Sequence, residues 1–377
     1  MKKRHGTHKS FFIRIIGLLL IVLIFISIFS ITAINDKDGL LFKRFFGNKS
    51  TVQGVLELWN IDTFESGTNP KMDYVENTAI EYEKQNKGAY ILCLNMTVDE
   101  LINNLEAGKR PDMFSFSAPV AGTIREYLTE LEENNEIRDL LLDSAKTTSE
   151  ELLAIPWCMG GYALVSSKNR VECSKHKKEE FLTQNIYKFG YEKTRKRSNE
   201  QIYSLVYSNK NGLMPNLAIN EELKVLGIEQ LSTNYLAVYP SANVLSQYDA
   251  YLLWARGKAT TLVASQRDLV RLKNRVNAGR ETDVLIEYLS YYTDLVQYIG
   301  VSKNESSDKQ KLCENFVKFL VSEKYQIKLN KIGMFSVLKK DLSLYEDEYF
   351  AKMEKSLSHL SVVNKIFWYI TINNYIF

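Results

Sequence analysis

Histidine, cysteine and proline are scarce in this 377-residue chain, at four, four and six residues. Cys93, Cys158, Cys173 and Cys313 stand far apart with no C-x-x-C pair, and His5, His8, His176 and His359 have no ligand partner at fixed spacing. Tetrahedral zinc chemistry therefore has no basis here, and neither metal nor cofactor is expected. The pairing of the cysteines stays open. No G-x-S-x-G, H-E-x-x-H, Walker sequence or G-x-G-x-x-G occurs, so the usual hydrolase, metalloprotease, nucleotide and dinucleotide signatures are missing. No residue is nominated as catalytic. A surplus of one charge is lacking too. Of the 48 Lys and Arg, five lie at Lys2, Lys3, Arg4, Lys9 and Arg14, and the remaining 43 face 45 Asp and Glu. A slightly acidic body excludes nucleic acid as a partner. Repeats and low-complexity stretches are absent, and the 45% apolar composition is that of an ordinary globular protein with room for two domains.

The N-terminus carries a clear physical signal. Ile15 to Ile34 is uncharged, and twenty residues at ~1.5 Å each reach ~30 Å, the hydrocarbon thickness of a bilayer. The basic lead, residues 1–14, stays cytoplasmic, which puts the rest of the chain at the extracellular face of the cell membrane. A cleaved signal has a shorter apolar core, ~7–15 residues, which favours a retained anchor. The small residues Ser30-Ile31-Thr32-Ala33 keep cleavage open, and no Cys stands near to carry a lipid. Residues 35–51 read as a tether.

The folded part opens on the strand Val55 to Trp59. Asn69-Pro70 predicts a helix start, with Met72, Val75, Ala79 and Tyr82 on one face. Ala89 to Leu94 is the next strand, and Thr97-Val98-Asp99-Glu100 is a capping box for a short helix burying Leu101 and Leu105. Asp112 to Phe116 is the third strand. This β-α-β-α-β alternation predicts an open, mostly parallel sheet. A helical stretch over Val120 to Ala145 is expected next. Ile155-Pro156-Trp157-Cys158-Met159-Gly160-Gly161-Tyr162 then reads as a crossing between two lobes, because the glycine pair tolerates unusual φ or the close approach of another group. Ser166 to Arg197, rich in Lys and Arg with interspersed Glu, reads as a solvated face in preference to a patch attracted to an acidic lipid surface. Beyond it lie a helix from Ser241 to Arg256 and strands at Thr260 to Ala264, Asp283 to Tyr288 and Leu295 to Val301. Helix over Lys309 to Asn330 turns Phe316, Phe319 and Leu320 inward and stops at Gly333.

Five stretches together resemble the extracellular solute-binding proteins of ABC importers, in particular the sugar-binding group (family 1). They are Leu56-Glu57-Leu58-Trp59-Asn60; Ala107-Gly108-Lys109-Arg110-Pro111-Asp112-Met113-Phe114; the Pro156-Trp157 to Leu164 crossing; Trp254-Ala255-Arg256-Gly257-Lys258-Ala259-Thr260-Thr261; and Asn315 to Gln326 followed by Gly333-Met334. The match departs from the family at Phe335-Ser336, where proline is usual, and in the aromatic tail ending at Phe377. The resemblance implies a type II two-lobe periplasmic-binding-protein-like α/β fold, each lobe a mostly parallel sheet flanked by helices, behind the N-terminal membrane helix. Lobe 1 is expected to comprise 52–155 plus 259–296, and lobe 2 to comprise 156–258 plus 297–377.

It also implies capture of a small solute, by default a mono- or oligosaccharide, by hinge closure and its delivery to ABC permease subunits. Ligands of open α/β sheets sit beyond the carboxyl ends of the strands. That nominates Trp59, Asn60, Asp62, Phe116, Ser117, Trp157, Gly161, Tyr235 and Trp254, with the tryptophans as stacking faces for sugar rings and the polar groups as partners of hydroxyls. Core packing explains Trp59 and Trp254 equally well, and a tight crossing alone explains Gly161. Two rival functions stay open: a membrane-anchored extracellular glycoside hydrolase, and a binding protein that serves a sensor instead of transport.

Overall fold

Strand β1, Gly54–Ile61, is an inner strand of a first sheet and pairs in parallel with β2, Ala89–Met96, and β3, Met113–Ser117. Two further strands complete it, β4 at Ile155–Met159 and β10 at Val296–Val301, in the order β2-β1-β3-β10-β4. In this computed structural model the described residues are 54–167, 205–208, 210–225, 245–259, 261–281, 284–304 and 306–367. They fall within one unit, Gly54–Phe377. The expected membrane segment, the tether, nearly all of the basic run after Ser166, and Tyr235 lie outside them. Among the described residues no helix is long and apolar enough to cross a membrane.

Helix α1, Lys71–Gln85, has Pro70 as its N-cap, one residue later than the sequence predicts, and buries Met72, Tyr74, Val75, Thr78, Ala79 and Tyr82. The spacing of three and four puts that face on the sheet. Helix α2, Val98–Glu106, starts at the predicted capping box: Thr97 Oγ1 accepts from the Glu100 N–H at 3.2 Å, and the Glu100 carboxylate accepts from the Thr97 N–H at 2.8 Å. Leu101 is buried and Leu105 half-buried.

The long helix expected over 120–145 is broken. It becomes α3, Ala118–Ile124, a 3₁₀ turn Arg125–Tyr127, an irregular run, and α4, Asp139–Ser144. Backbone pairing to distant segments and weak local helix propensity act together there. Thr129 donates to Val301 O at 2.9 Å and Leu131 to Leu152 O at 2.8 Å, and Thr129, Asn134 and Asn135 are weak helix formers.

The second sheet has the order β6-β7-β5-β8, built from β5 Tyr162–Ser167, β6 Leu205–Val206, β7 Thr261–Ser265 and β8 Val284–Leu289. Strand β5 is antiparallel to both β7 and β8, and only β6–β7 is parallel. Each lobe was expected to hold a mostly parallel sheet. The first sheet is instead mixed, with β10 antiparallel to β3 and β4, and the second is mostly antiparallel. The expected division of the chain also changes. Strands β7 and β8, assigned to lobe 1, belong to the second sheet, and β10, assigned to lobe 2, lies inside the first. Sheet membership is decided by pairing between distant segments, which a local apolar pattern does not encode.

Helices α5, Pro215–Val225, α6, Gln247–Ala255, and α7, Gln266–Asn277, pack on the second sheet. Helix α8, Ser307–Leu320, packs on α1 and β10, with Phe316 and Leu320 buried as predicted and Phe319 half-buried against Tyr82. A short α9, Glu323–Gln326, and a 3₁₀ run, Ile327–Ile332, end at Gly333, whose φ of 68° fits the glycine stop. Helix α10, Glu348–Ser356, returns to α7 and β8. Strand β11, Val362–Val363, pairs with β9, Tyr292–Thr293, and Phe367 packs on Phe116 with ring centroids 6.3 Å apart. Phe367 is the one aromatic of the tail among the described residues; residues 368–377 lie outside them.

The chain passes between the sheets at Gly160-Gly161, at Ser290–Leu295 and again between Leu338 and Glu348. The first passage is where the sequence placed it. A Cβ on Gly160 would lie 2.4 Å from Gln266 Oε1, so the glycine admits that side chain. The first two passages are bonded together: Gly160 N–H donates to Leu295 O at 2.6 Å, and Thr293 Oγ1 donates to Gly160 O at 2.9 Å.

Asp294, in the second passage, accepts from Tyr162 Oη at 2.7 Å and from the Met214 N–H at 2.6 Å. Burial raises its carboxyl above the ordinary range despite those bonds. A carboxyl raised by folding favours the native state while protonated, and that contribution is lost as pH rises through its folded pKa. Urea unfolding at pH 4.5 and pH 7.5 is therefore expected to show a smaller fall in stability with rising pH for Asp294→Asn than for the parent. Equal falls would exclude this role.

Candidate functional site

Where β1 ends at Ile61 the chain leaves the sheet, and the loop that follows forms one wall of a cleft of about 450 Å³. Asp62, Thr63, Phe64, Glu65, Ser66, Thr68 and Pro70 supply that wall. The facing wall comes from the second lobe: Ser208, Lys210, Asn211 and Leu213 after β6, Ser246, Gln247 and Tyr248 at the start of α6, and Arg267 at the start of α7. The cleft thus opens at the carboxyl end of a central strand, where an open α/β sheet offers its ligand site.

Two helix starts with the same pattern build the second wall. Ser246-Gln247-Tyr248-Asp249 opens α6, where Ser246 Oγ accepts from the Asp249 N–H at 3.1 Å and donates to its carboxylate at 2.7 Å. The Ser246 hydroxyl, with help from its backbone N–H, holds the Asp249 carboxyl below its usual range. Ser265-Gln266-Arg267-Asp268 opens α7, where the Asp268 carboxylate accepts from Ser265 N–H at 3.0 Å and Oγ at 3.1 Å. Burial raises the Asp268 carboxyl, and Arg271 opposes the shift. In both segments the capping serine fixes the turn, so the Gln and the residue after it project toward the first lobe.

The first wall is fixed from behind. Lys71, only 1% exposed, places its ammonium 3.1 Å from Asp62 Oδ1, donates to the Phe64 carbonyl and lies 3.8 Å from the Phe64 ring centroid. At the far end of the loop, Gly67 meets Gly333 backbone to backbone. A Cβ on Gly67 would fall 2.5 Å from Gly333 O, so a side chain there cannot fit without moving main chain.

Of the nominated residues, Asp62 lines the cleft. Asn60 is fully buried and joins Asn95 at 2.8 Å and Ser115 at 2.8 Å. Ser117 is buried behind the wall, its hydroxyl bonded to that of Thr63. Trp59 is buried, with Nε1 donating to Glu57 Oε1 at 2.6 Å and its ring edge-on to Phe114. Phe116 is enclosed by Tyr298 and Phe367. Trp157, at 0% exposure, stacks on Tyr74 at 5.2 Å and 4° and donates from Nε1 to Ser115 Oγ at 3.2 Å. Trp254 is fully buried beside Tyr251. Gly161 donates its N–H to Gln266 Oε1 at 3.3 Å, in the crossing and not in the cleft wall. The tryptophans among the described residues therefore pack the lobes, and the half-exposed ring in the cleft is that of Tyr248.

The sequence did not nominate Glu65, Asn211, Gln247, Tyr248 or Arg267. The repeated S-Q-x-D pattern is the signal that marks three of them, because a capping box announces a helix start presented to a loop. The three described thiols, Cys93, Cys158 and Cys313, are unpaired, and burial pushes each of them up, which disfavours the thiolate. No group of His, Cys, Asp and Glu that could hold a metal occurs among the described residues.

No protein-family model matches the chain, and no curated protein does either. Solved structures do. The GacH receptor of Streptomyces glaucescens GLA.O, known unliganded and with acarbose, aligns with a TM-score of 0.54 at 14% identity, over 84% of this chain and 88% of that one. Maltose-bound MalE3 of T. maritima aligns at 0.56 and 15%, over 82% and 89%. Thiaminase I from Bacillus thiaminolyticus aligns at 0.54 and 10%, over 83% and 95%, so the same fold also carries an enzyme. The chain shares with all three the two-lobe, periplasmic-binding-protein-like fold built on mixed α/β sheets.

Proposed function

We propose that the chain captures a small solute, a mono- or oligosaccharide, outside the membrane and delivers it to ABC permease subunits, without catalysis. The strand order β2-β1-β3-β10-β4, with β10 inserted antiparallel, supports the type II form of the fold. The uncharged stretch Ile15 to Ile34 supports anchoring in, or export through, the membrane. The observation that carries the reading is the cleft itself. It lies between two sheets, and its walls carry the hydroxyls of Thr63, Ser66, Thr68, Ser208 and Ser246, each bonded to a protein partner but with acceptor capacity left. They also carry the amides of Asn211 and Gln247, which hold the opposite loop through Nδ2 and Oε1 and keep their other amide atom, and the half-exposed ring of Tyr248. Closely spaced hydroxyls of a sugar need such donors and acceptors, and its C–H face suits an aromatic ring. Solutes bound in the neighbours, acarbose in GacH and maltose in MalE3, point the same way.

The test is a melting and calorimetric titration of the full chain in detergent with maltose, maltotriose and acarbose. A solute at a hundredfold excess over Kd is expected to add about 2.7 kcal/mol of stability and to be recovered unchanged. Released product would favour the hydrolase. Binding together with undiminished uptake after gene deletion would favour the sensor.

A further inference from the structure

Second-lobe side chains hold the loop Thr63–Thr68 of the first lobe. Most of them hold it by its backbone. Asn211 Nδ2 donates to Thr63 O at 3.0 Å, Gln266 Nε2 to Glu65 O at 2.7 Å, and Arg267 Nη1 to Gly67 O and Thr68 O at 3.0 and 2.7 Å. Gln247 Oε1 accepts from the Glu65 N–H at 3.2 Å.

Arg271 acts differently. Its Nη2 donates to both oxygens of the Glu65 carboxylate, at 2.9 and 2.8 Å, while Nη1 donates to Asp268 on its own helix at 2.8 Å. The same guanidinium lies 4.9 Å from the centroid of the Tyr248 ring and 5.7 Å from that of Tyr251. One side chain therefore touches the opposite lobe and the half-exposed ring of the cleft at once. Its own exposure is 15% against 42% for Glu65, so water screens the pair only in part.

We propose that Arg271 is a positioning residue that couples lobe closure to solute binding: Glu65 closing on it fixes its guanidinium against Tyr248, which sets that ring in the cleft. A planar guanidinium suits both roles, because it bonds carboxylates in its plane and packs on a ring with its face. The local charges fit this arrangement. Asp268 holds one edge of the group permanently, and Glu65 supplies the contact that depends on closure. The inference rests on the capture reading for its consequence, faster solute release, but the latch itself is measurable without solute.

Hydrogen–deuterium exchange of the full chain in detergent, without solute, is the deciding experiment. Peptides covering 63–68 and 246–248 are expected to exchange about tenfold faster in both Glu65→Gln and Arg271→Gln, with α1 and α8 unchanged, and the double variant no faster than either single one. Glu65→Gln, on a partly exposed loop, keeps the test valid if Arg271→Gln folds poorly. With a bound saccharide, each variant should release it about tenfold faster. Unchanged exchange in the two segments, or additive effects in the double variant, would overturn the latch. A parent protein that binds no saccharide yet shows the exchange pattern would overturn only the capture reading.

Discussion

Lys71→Met is expected to cost about 3 kcal/mol of stability and to lower Tm by roughly 4–5 °C. The substitution keeps the apolar stem of a side chain that is 1% exposed and removes its charge. Asp62 then keeps a carboxylate whose Oδ1 has no other partner, and the Phe64 carbonyl loses its donor. Breaking a buried ion pair by deleting one member costs ~3–5 kcal/mol, and the lower end applies because the Asp62 side chain is still 30% exposed. The double variant Lys71→Met/Asp62→Asn should recover part of the loss, since removing both charges costs less than stranding one. Chemical denaturation of the single and double variants checks both statements. A single variant within 1 kcal/mol of the parent would show that Lys71 does not hold the cleft wall.

A second large effect is expected at Trp157. Trp157→Ala removes a fully buried indole stacked on Tyr74 and takes one of three bonds from the Ser115 hydroxyl, which keeps Asn60 and Gln297. Large-to-small changes of this kind cost about 3–5 kcal/mol. Tyr248→Ala, on a half-exposed ring, should change stability by less than about 0.5 kcal/mol and weaken saccharide binding instead. Urea unfolding together with a binding titration separates the two residues. The opposite pattern, with Trp157→Ala stable but deaf to solute, would return Trp157 to the cleft.

That contrast shows what could be read in the chain. The first three strands, the Thr97 capping box, the passage at Gly160-Gly161 and the stop at Gly333 were all legible, because each depends on residues within one turn or one strand of each other. Trp157 was misread for a physical reason, while at Trp59 and Trp254 the core alternative is the one the burial supports. A large aromatic at a strand end obeys the same pattern whether it faces a cleft or a neighbouring helix. Tyr74 on α1 and Ser115 on β3, both distant in the chain, show which way Trp157 points. The allotment of β7, β8 and β10 to the sheets was hidden likewise, because their hydrogen-bond partners lie far away in sequence. The second cleft wall had a local trace in its paired S-Q-x-D starts, but a capping box says where a helix begins and not what it faces.

The place of β10 between β3 and β4 has a further consequence for biosynthesis. A nascent chain that has delivered its first four strands to the ribosome exit still lacks the piece that separates and joins two of them. That piece emerges about 140 residues later, roughly ten seconds at ~5–20 residues per second. Until then β3 and β4 expose raw edges, so the N-terminal half cannot finish before the rest is made, and a helper that shields open strands would have its longest engagement in that interval.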